Sequence, residues 1–348
     1  MNKELLYDFL CTPSVSGHEE ALQKKVIGYG KTFADEIRTD EIADVVTVVN
    51  PEARVKVMLA AHADEIGLMV THITEDGMLH VDKAGGIYPG SYLGQKVRVY
   101  HEGKVYYGAV RNHGSLSGKK VELTDLIVDI GAVSREDAEQ YVRVGDPITF
   151  DTDYRELLND RLTGRGLDDR LADFIILEAA KKAKEQGCSC GVYAATTVGE
   201  ELTKHGAQWC AERIRPTMAV VVDVTYTSDY SGTREEELGR ILLGHGPVLL
   251  HNPFSHKKML QMLEQVAEQK NIAIQWENGC GRTCTDADSI HMAGEGIPTT
   301  VMSIPLRYMH NPAEVCSLDD VQACITLLTE FLCQVEENIC LNPLTIDE

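Results

Sequence analysis

The sequence predicts a mixed α/β protein in which a small antiparallel β-barrel is inserted into a domain built on a mixed sheet. Near-continuous apolar runs such as VKVMLAA at residues 55–61 alternate with helical patterns in both terminal parts of the chain. That alternation is typical of strands buried on both faces of an α/β sheet. Between about Gly67 and Asp160 the pattern changes to short β-rich pieces joined by glycine turns, which favours a small barrel.

These two patterns also predict the domain boundaries. The chain has 348 residues, which exceeds the usual size of a single domain. We expect residues 1–66 and 161–348 to form one discontinuous catalytic α/β domain. Residues 67–160 would be the inserted barrel.

Composition excludes several classes of partner. The chain carries 54 acidic and 33 basic residues and a formal net charge of -21, which repels phosphate backbones and anionic membranes. No apolar stretch approaches the roughly 20 residues needed to cross a bilayer, and the N-terminus lacks an export signal. We therefore expect a cytoplasmic protein without nucleic-acid or membrane partners. The ten cysteines are interpreted as reduced thiols rather than disulfides or zinc ligands.

Local signals place the helices and strands in order. A short helix is predicted over NKELLYDFL, followed by a second helix that begins with Ser16 as its cap, because Glu19 stands three residues later. A strand follows at Val45 to Val49. Within the insertion, Ser134 caps a short helix, and a long helix runs from Leu167 to Gln186, where Gly187 ends it.

Candidate ligand residues stand at the ends of four predicted buried strands. His62 follows VKVMLAA, Glu200 and Glu201 follow GVYAATT, Asp223 follows TMAVVV, and TTVMSIP leads through a short loop to His310. In open α/β sheets the binding crevice lies outside the carboxyl ends of the strands. The sequence therefore predicts that these side chains converge on one site.

The residue types fit a pair of metal ions. Imidazole nitrogens and carboxylate oxygens are metal ligands, and two ions about 3.5–4 Å apart need a bridging carboxylate. Asp168, at the predicted mouth of the long helix, is the candidate bridge, because helix N–H groups help to keep it ionised. Asp64 is expected to accept the other N–H of the His62 ring. Glu201 is assigned to metal and Glu200 to proton transfer.

At this point the chain resembles a known family, the tetrahedral, dodecameric metallo-aminopeptidases, which include glutamyl and deblocking aminopeptidases and members labelled endoglucanases. The segments that carry the resemblance are SVSGHEE, AHADEIG, YPG, GRGLDDR, VGEEL, VVDVT, CTDADSIH, GEGIPT and MHNPAEV. They cover essentially the whole chain. One departure is Ala43-Asp44, where many relatives have Gly-Asn; it affects the local turn and removes no ligand.

The resemblance implies a phosphorylase/hydrolase-like zinc-peptidase domain with a PDZ-like dimerisation domain as its insertion. It also implies two divalent metal ions per subunit, zinc or cobalt first, short peptides as substrates, and assembly into dimers and a particle of twelve subunits. His62 and Asp223 would bind one ion, Glu201 and His310 the other, and Asp168 both, with Glu200 as the catalytic base.

The resulting hypothesis is a two-metal aminopeptidase. The metal pair lowers the pKa of a shared water towards about 7, so that hydroxide is available, and Glu200 passes its proton to the leaving amine. Three alternatives remain: a two-metal deacylase or carboxypeptidase, a glycosidase that uses two carboxylates, and a non-catalytic assembly protein. The preferred N-terminal residue and the native ion stay open, because nitrogen and oxygen ligands accept zinc, cobalt or manganese.

Overall fold

The computed structural model describes residues 1–112, 118–233 and 235–344. Its largest element is an eight-stranded mixed sheet. In order across the sheet, the strands are β1 (Glu36–Thr39), β2 (Val45–Val49), β12 (Gly191–Thr197), β3 (Lys56–His62), β13 (Met218–Tyr226), β16 (Thr299–Leu306), β14 (Val248–His251) and β15 (Gln275–Asn278). Strands β12, β3, β13 and β16 are parallel neighbours, so their C-terminal ends lie along one edge of the sheet.

Helices cover both faces of this sheet, which explains the near-continuous apolar runs of its central strands. All residues of β12 and β16 are buried. One face packs against α1 (Lys3–Leu10), α2 (Glu20–Gly30), α4 (Leu167–Glu185), α7 (Lys257–Lys270) and α9 (Leu318–Gln334). The other face packs against α5 (His205–Ile214) and α8 (Ala287–Ile290). A short helix, α6 (Glu235–Leu238), lies near β15.

The predicted inserted barrel is confirmed. Six strands close an antiparallel barrel in the order β4, β5, β8, β7, β6, β9. Their bounds are β4 (Gly67–Ile73), β5 (Leu79–Ala84), β6 (Lys96–His101), β7 (Lys104–Val110), β8 (Ile127–Asp129) and β9 (Pro147–Phe150), with 3-10 turns at Pro89–Tyr92 and Leu123–Asp125. The barrel has its own apolar core. It thus needs no side chains from the large sheet to bury its apolar faces.

The chain leaves the barrel before the predicted boundary at residue 160. Strand β10 (Arg155–Leu157) pairs with β11 (Arg161–Gly164), and β11 pairs with β17 (Glu314–Ser317), in a separate three-stranded sheet. The division into residues 1–66 with 161–348 and residues 67–160 remains a prediction. The small sheet brings the segment after the barrel next to the segment that follows His310.

Of the two helix caps that the sequence predicts, one forms and the other does not. The Ser134 hydroxyl accepts the Asp137 N–H at 3.2 Å at the start of α3 (Arg135–Ala138), as predicted. The cap predicted at Ser16 is wrong, because α2 begins at Glu20 without a side-chain cap. The Ser16 hydroxyl instead donates to the Asp64 carboxylate at 2.6 Å.

Among the helices of the described ranges, none combines the length and the apolar character that a membrane crossing requires. The ten cysteines all lie in the described ranges and are free thiols.

Candidate metal centre

The ends of the four central strands bring the predicted ligand residues to one edge of the sheet. His62 is the last residue of β3 and pairs in register with Thr197, the last residue of β12, just before Glu200 and Glu201. Asp223 lies inside β13 rather than after it, opposite Ser303 of β16. The parallel register therefore places these groups side by side.

The ligand atoms form two clusters. The first contains His62, Asp169 and Asp223, and the second contains Asp168, Glu201 and His310; within each cluster the atoms lie within 4.8 Å of one another. Asp168 stands between them. One of its carboxylate oxygens is 3.2 Å from Nε2 of His62, and the other is 3.2 Å from Nε2 of His310. This carboxylate can therefore face both clusters at once.

The hydrogen bond at Nδ1 of each imidazole determines which ring nitrogen carries the proton. Nδ1 of His62 lies 3.0 Å from the backbone carbonyl of Asp64, and Nδ1 of His310 lies 2.8 Å from the carbonyl of Gly86. A carbonyl can only accept, so Nδ1 is the donor in both rings, and Nε2 of a neutral ring points its lone pair at carboxylate oxygens. Two facing acceptors repel unless a cation or a proton lies between them. The donor set thus fits a divalent cation at each cluster.

The close approach of carboxylates to the two histidines also shifts the pKa values of these side chains. Burial lowers the pKa of His310, but hydrogen bonds with Asp168 and Glu201 outweigh it and raise that pKa to about 12. Burial also opposes the charge of His62, yet its bonds with Asp168 and Asp64 hold its pKa well above the usual value. The pKa of Asp223 is raised by burial and by neighbouring carboxylates. The site therefore binds protons strongly wherever a cation could replace them.

Asp64 links the His62 strand to the turn that carries the glutamates. Its buried carboxylate accepts the N–H of Glu200 at 3.0 Å and the N–H of Glu201 at 3.1 Å, in addition to the Ser16 hydroxyl. Toward His62, its backbone carbonyl is nearer than its carboxylate, at 3.0 Å against 3.4 Å from Nδ1. The backbone of Asp64 therefore makes the closer contact with the ring, and its carboxylate fixes the turn.

Glu200 is buried beside the clusters and is not a member of either. Its Oε1 lies 3.0 Å from Nζ of Lys204, which is also 3.4 Å from a carboxylate oxygen of Asp288. Burial raises the pKa of Glu200 to about 6, although His62 and Lys204 act to lower it. A carboxyl with this pKa can both accept and return a proton near neutral pH.

The structure corrects the environment expected for Asp168. Asp168 and Asp169 have non-helical backbone angles, so the regular helix begins after them. The N–H groups of Leu167 and Asp168 donate to the Glu314 carboxylate at 2.8 and 3.3 Å. They are therefore not available to stabilise the Asp168 carboxylate, which the histidines stabilise instead.

Two residues of the centre, Asp169 and Glu314, were missed by the sequence reasoning. Asp169 directly follows Asp168 in GLDDR, and Glu314 lies in MHNPAEV, so the only available signal was their place in motifs already noted. Their roles depend on contacts across the fold.

The turn at Ala43-Asp44 forms without the Gly-Asn pair. Ala43 has a left-handed φ of 76°, a conformation that favours glycine. The Asp44 carboxylate accepts the Val198 N–H at 3.0 Å and so supports the turn that leads to Glu200. Burial and the neighbouring Asp40 carboxylate raise the pKa of Asp44 to about 7.

A cavity of about 310 Å³ opens directly over both clusters. The ligand residues and Glu200 line one side of it. Side chains from the C-terminal half of the chain complete it, and the main ones are Thr225, Leu238, Leu250, Glu277, Cys284, Val301 and Met309. The cavity offers space for a substrate next to the proposed ions.

Residues 44–327 match the model of the family described as M42 glutamyl aminopeptidase. The chain is 34% identical over 340 residues to a lysyl aminopeptidase of Pyrococcus furiosus, covering 94% of this chain and 96% of that protein. A TET aminopeptidase from Thaumarchaeota archaeon SCGC AB-539-E09 superposes with a TM-score of 0.90 at 30% identity, covering 96% of each chain.

The TET1 peptidase of Pyrococcus horikoshii, described as able to assemble into a tetrahedron or a large octahedral shell, superposes with a TM-score of 0.86 at 28% identity. The match covers 96% of this chain and 99% of that one. The similarity therefore extends over both the large sheet and the barrel.

Proposed function

The chain belongs to the M42 glutamyl aminopeptidase family, and from that premise we propose that it removes N-terminal residues from short peptides with two divalent metal ions in the centre described above. The family is one of metallo-enzymes, and the chain is a hydrolase of the aminopeptidase class. One observation carries the two-metal proposal. The Asp168 carboxylate lies between two histidines and offers one oxygen to each at 3.2 Å.

The proposal assigns every ligand to an ion. His62 and Asp223 bind one ion, Glu201 and His310 bind the other, and Asp168 bridges them. Asp169 is a further buried carboxylate within the first cluster. Nitrogen and oxygen donors in this proportion suit zinc or cobalt.

Bound ions would polarise the scissile carbonyl and lower the pKa of a water in the centre towards about 7. Glu200 takes a proton from the attacking water and returns it to the leaving amine, so it acts first as base and then as acid. Lys204 stabilises the ionised form of Glu200 between turnovers. Asp64 keeps the backbone of Glu200 and Glu201 in place, so that the Glu201 carboxylate faces the ligand cluster and the Glu200 carboxylate stays outside both clusters.

The substitution Glu200→Gln tests this division of roles. We expect the variant to retain its metal content, measured by inductively coupled plasma mass spectrometry, and to lose about 10²- to 10⁴-fold in kcat on aminoacyl amides. Glu295→Gln, at an exposed position, serves as the matched control. Near-normal turnover of Glu200→Gln would contradict the proposal.

A second comparison separates the proposed activity from that of a deacylase or carboxypeptidase. An aminopeptidase requires a free N-terminal amine, so peptides with an acetylated N-terminus should be poor substrates and the unblocked peptides good ones. Hydrolysis of the acetylated peptide with release of acetate or of the C-terminal residue, in place of the first residue, would favour the alternative.

Self-association into dimers and a dodecamer is part of the proposal. It is supported by the similarity to TET1, which is described as able to assemble into a tetrahedron or a large octahedral shell and is also described as a dodecamer in the asymmetric unit. Light scattering coupled to gel filtration should give a mass twelve times the 38.4 kDa of the chain. A monomeric mass would contradict it. The cytoplasmic location remains a prediction.

A further inference from the structure

The cavity over the metal centre contains a carboxylate that the proposed reaction does not use. Glu277 lies on β15, at the edge of the sheet, and its side chain lines the cavity. Burial raises the pKa of Glu277, and a hydrogen bond with the Thr225 hydroxyl lowers it only in part. Among the described residues, none of those that line this cavity is a lysine or an arginine.

The strand register places Glu277 on the same face of the sheet as the metal ligands. Glu277 pairs with Leu250 of β14. Two residues earlier in β14, Val248 pairs with Ser303 of β16, and Ser303 pairs on its other side with Asp223. Residues two apart in a strand point to the same face, so Glu277 and Asp223 both face the cavity. Neighbouring strands lie about 4.8 Å apart, so the backbones of the two strands that carry these residues are about 14 Å apart. The side chain of Glu277 nevertheless reaches the hydroxyl of Thr225, two residues beyond Asp223 in β13, and Glu277 belongs to neither ligand cluster.

Apolar side chains line much of the cavity around Glu277. Leu250 and Val301 lie on the sheet side of the cavity, and Leu238 and Met309 contribute from outside the sheet. A long aliphatic chain can pack along such a wall while its charged end meets a carboxylate. Lysine has this form, with an ammonium group on a flexible four-carbon stem. Arginine has a comparable reach and would meet the carboxylate through its guanidinium group.

We propose that this cavity receives the side chain of the substrate's first residue and that Glu277 selects a lysine or arginine there. The inference rests on the proposed function, because it assumes that the scissile bond lies at the metal centre. The α-amino group of the substrate is attached next to that bond, so it cannot reach Glu277 at the same time. A glutamyl side chain would meet a like charge at Glu277 and find no lysine or arginine among the described lining residues.

The experiment compares lysyl with norleucyl substrates, because norleucine retains the aliphatic stem and lacks the ammonium. The wild-type protein, loaded with zinc or cobalt, should show a kcat/KM ratio of lysyl over norleucyl amide of about tenfold or more. In Glu277→Gln this ratio should fall by about tenfold. Glu277→Lys should instead raise the ratio of glutamyl over glutaminyl amide.

Glu268→Gln is the matched control, because Glu268 is exposed on α7 and does not line the cavity; its lysyl over norleucyl ratio should equal that of the wild type. An unchanged ratio in Glu277→Gln would overturn the inference. An equal loss on every substrate would do so too, since it would assign Glu277 to the common part of the substrate or to the fold.

Binding of the free amino acids distinguishes this inference from the proposed function. If the wild-type protein cleaves none of the amides, the proposed function fails. Titration calorimetry with free lysine and free norleucine still tests the pocket, and tighter binding of lysine supports it. Equal binding of both amino acids to the wild-type protein overturns the inference, even where the enzyme is active and without recourse to any variant.

Discussion

The carboxylate of Glu314 accepts the backbone N–H of His310 at 2.9 Å. Its other oxygen accepts the N–H groups of Leu167 and Asp168 at 2.8 and 3.3 Å. One buried side chain therefore fixes the backbones of two proposed ligands that are far apart in the chain. The site depends on these hydrogen bonds of Glu314, because His310 and Asp168 can bind the same ion only if their separation is maintained.

Replacing Glu314 should weaken metal binding without removing a ligand. Glu314→Gln keeps one acceptor oxygen but turns an amide NH₂ toward a backbone N–H. Loss of an outer partner of this kind typically reduces metal affinity by about 10- to 100-fold. Competition with a coloured zinc chelator measures the affinity. Glu336→Gln, exposed after α9, is the control, and equal affinity of the two variants would show that Glu314 does not position the ligands.

Removing the metals should lower the thermal stability of the protein. Ligand binding to the folded state alone adds about 2.7 kcal/mol at a free concentration one hundred times Kd. We expect the Tm to fall after treatment with a chelator and to recover when zinc or cobalt is returned. In His310→Ala the recovery should be smaller, whereas exposed His245→Ala should behave like the wild type. A Tm that ignores chelator and metal alike would argue against a metal centre.

Stability should depend on pH through Asp44. The pKa of Asp44 is raised in the folded protein from 3.8 to about 7, so the folded state holds this proton more tightly than the unfolded state does. Its stabilising contribution is complete below about pH 4, declines as the pH rises, and is lost above about pH 7. Asp44→Asn removes this decline and should stabilise the metal-free protein at pH 8 by about 2 kcal/mol.

Urea unfolding between pH 4 and pH 8 measures the Asp44 effect as the difference in slope between variant and wild type. Other carboxyl groups titrate in the same range, and their contribution cancels in that difference. Asp76→Asn, at an exposed position in the barrel, should leave the slope unchanged. A parallel pair of curves for Asp44→Asn and the wild type would refute the assignment.

Local pattern was sufficient for the sheet, the barrel and most of the candidate centre. Buried strands have near-continuous apolar runs, and parallel strands end at the same edge of a sheet. For that reason the sequence alone predicts that His62, Glu201 and Asp223 lie near one another. The inserted barrel was equally visible, because its strands are short and its turns are rich in glycine.

The sequence by itself thus determined which elements form and which of their ends carry ligand-type side chains, since both follow from the order of apolar and polar residues. Only the tertiary structure decided which hydrogen-bond partners those side chains have. Ser16 meets Asp64 instead of capping its own helix, and Glu314 takes the N–H groups expected to support Asp168. These hydrogen bonds form between groups that folding brings to a suitable distance and direction. The spacing of residues along the chain does not encode that distance or that direction.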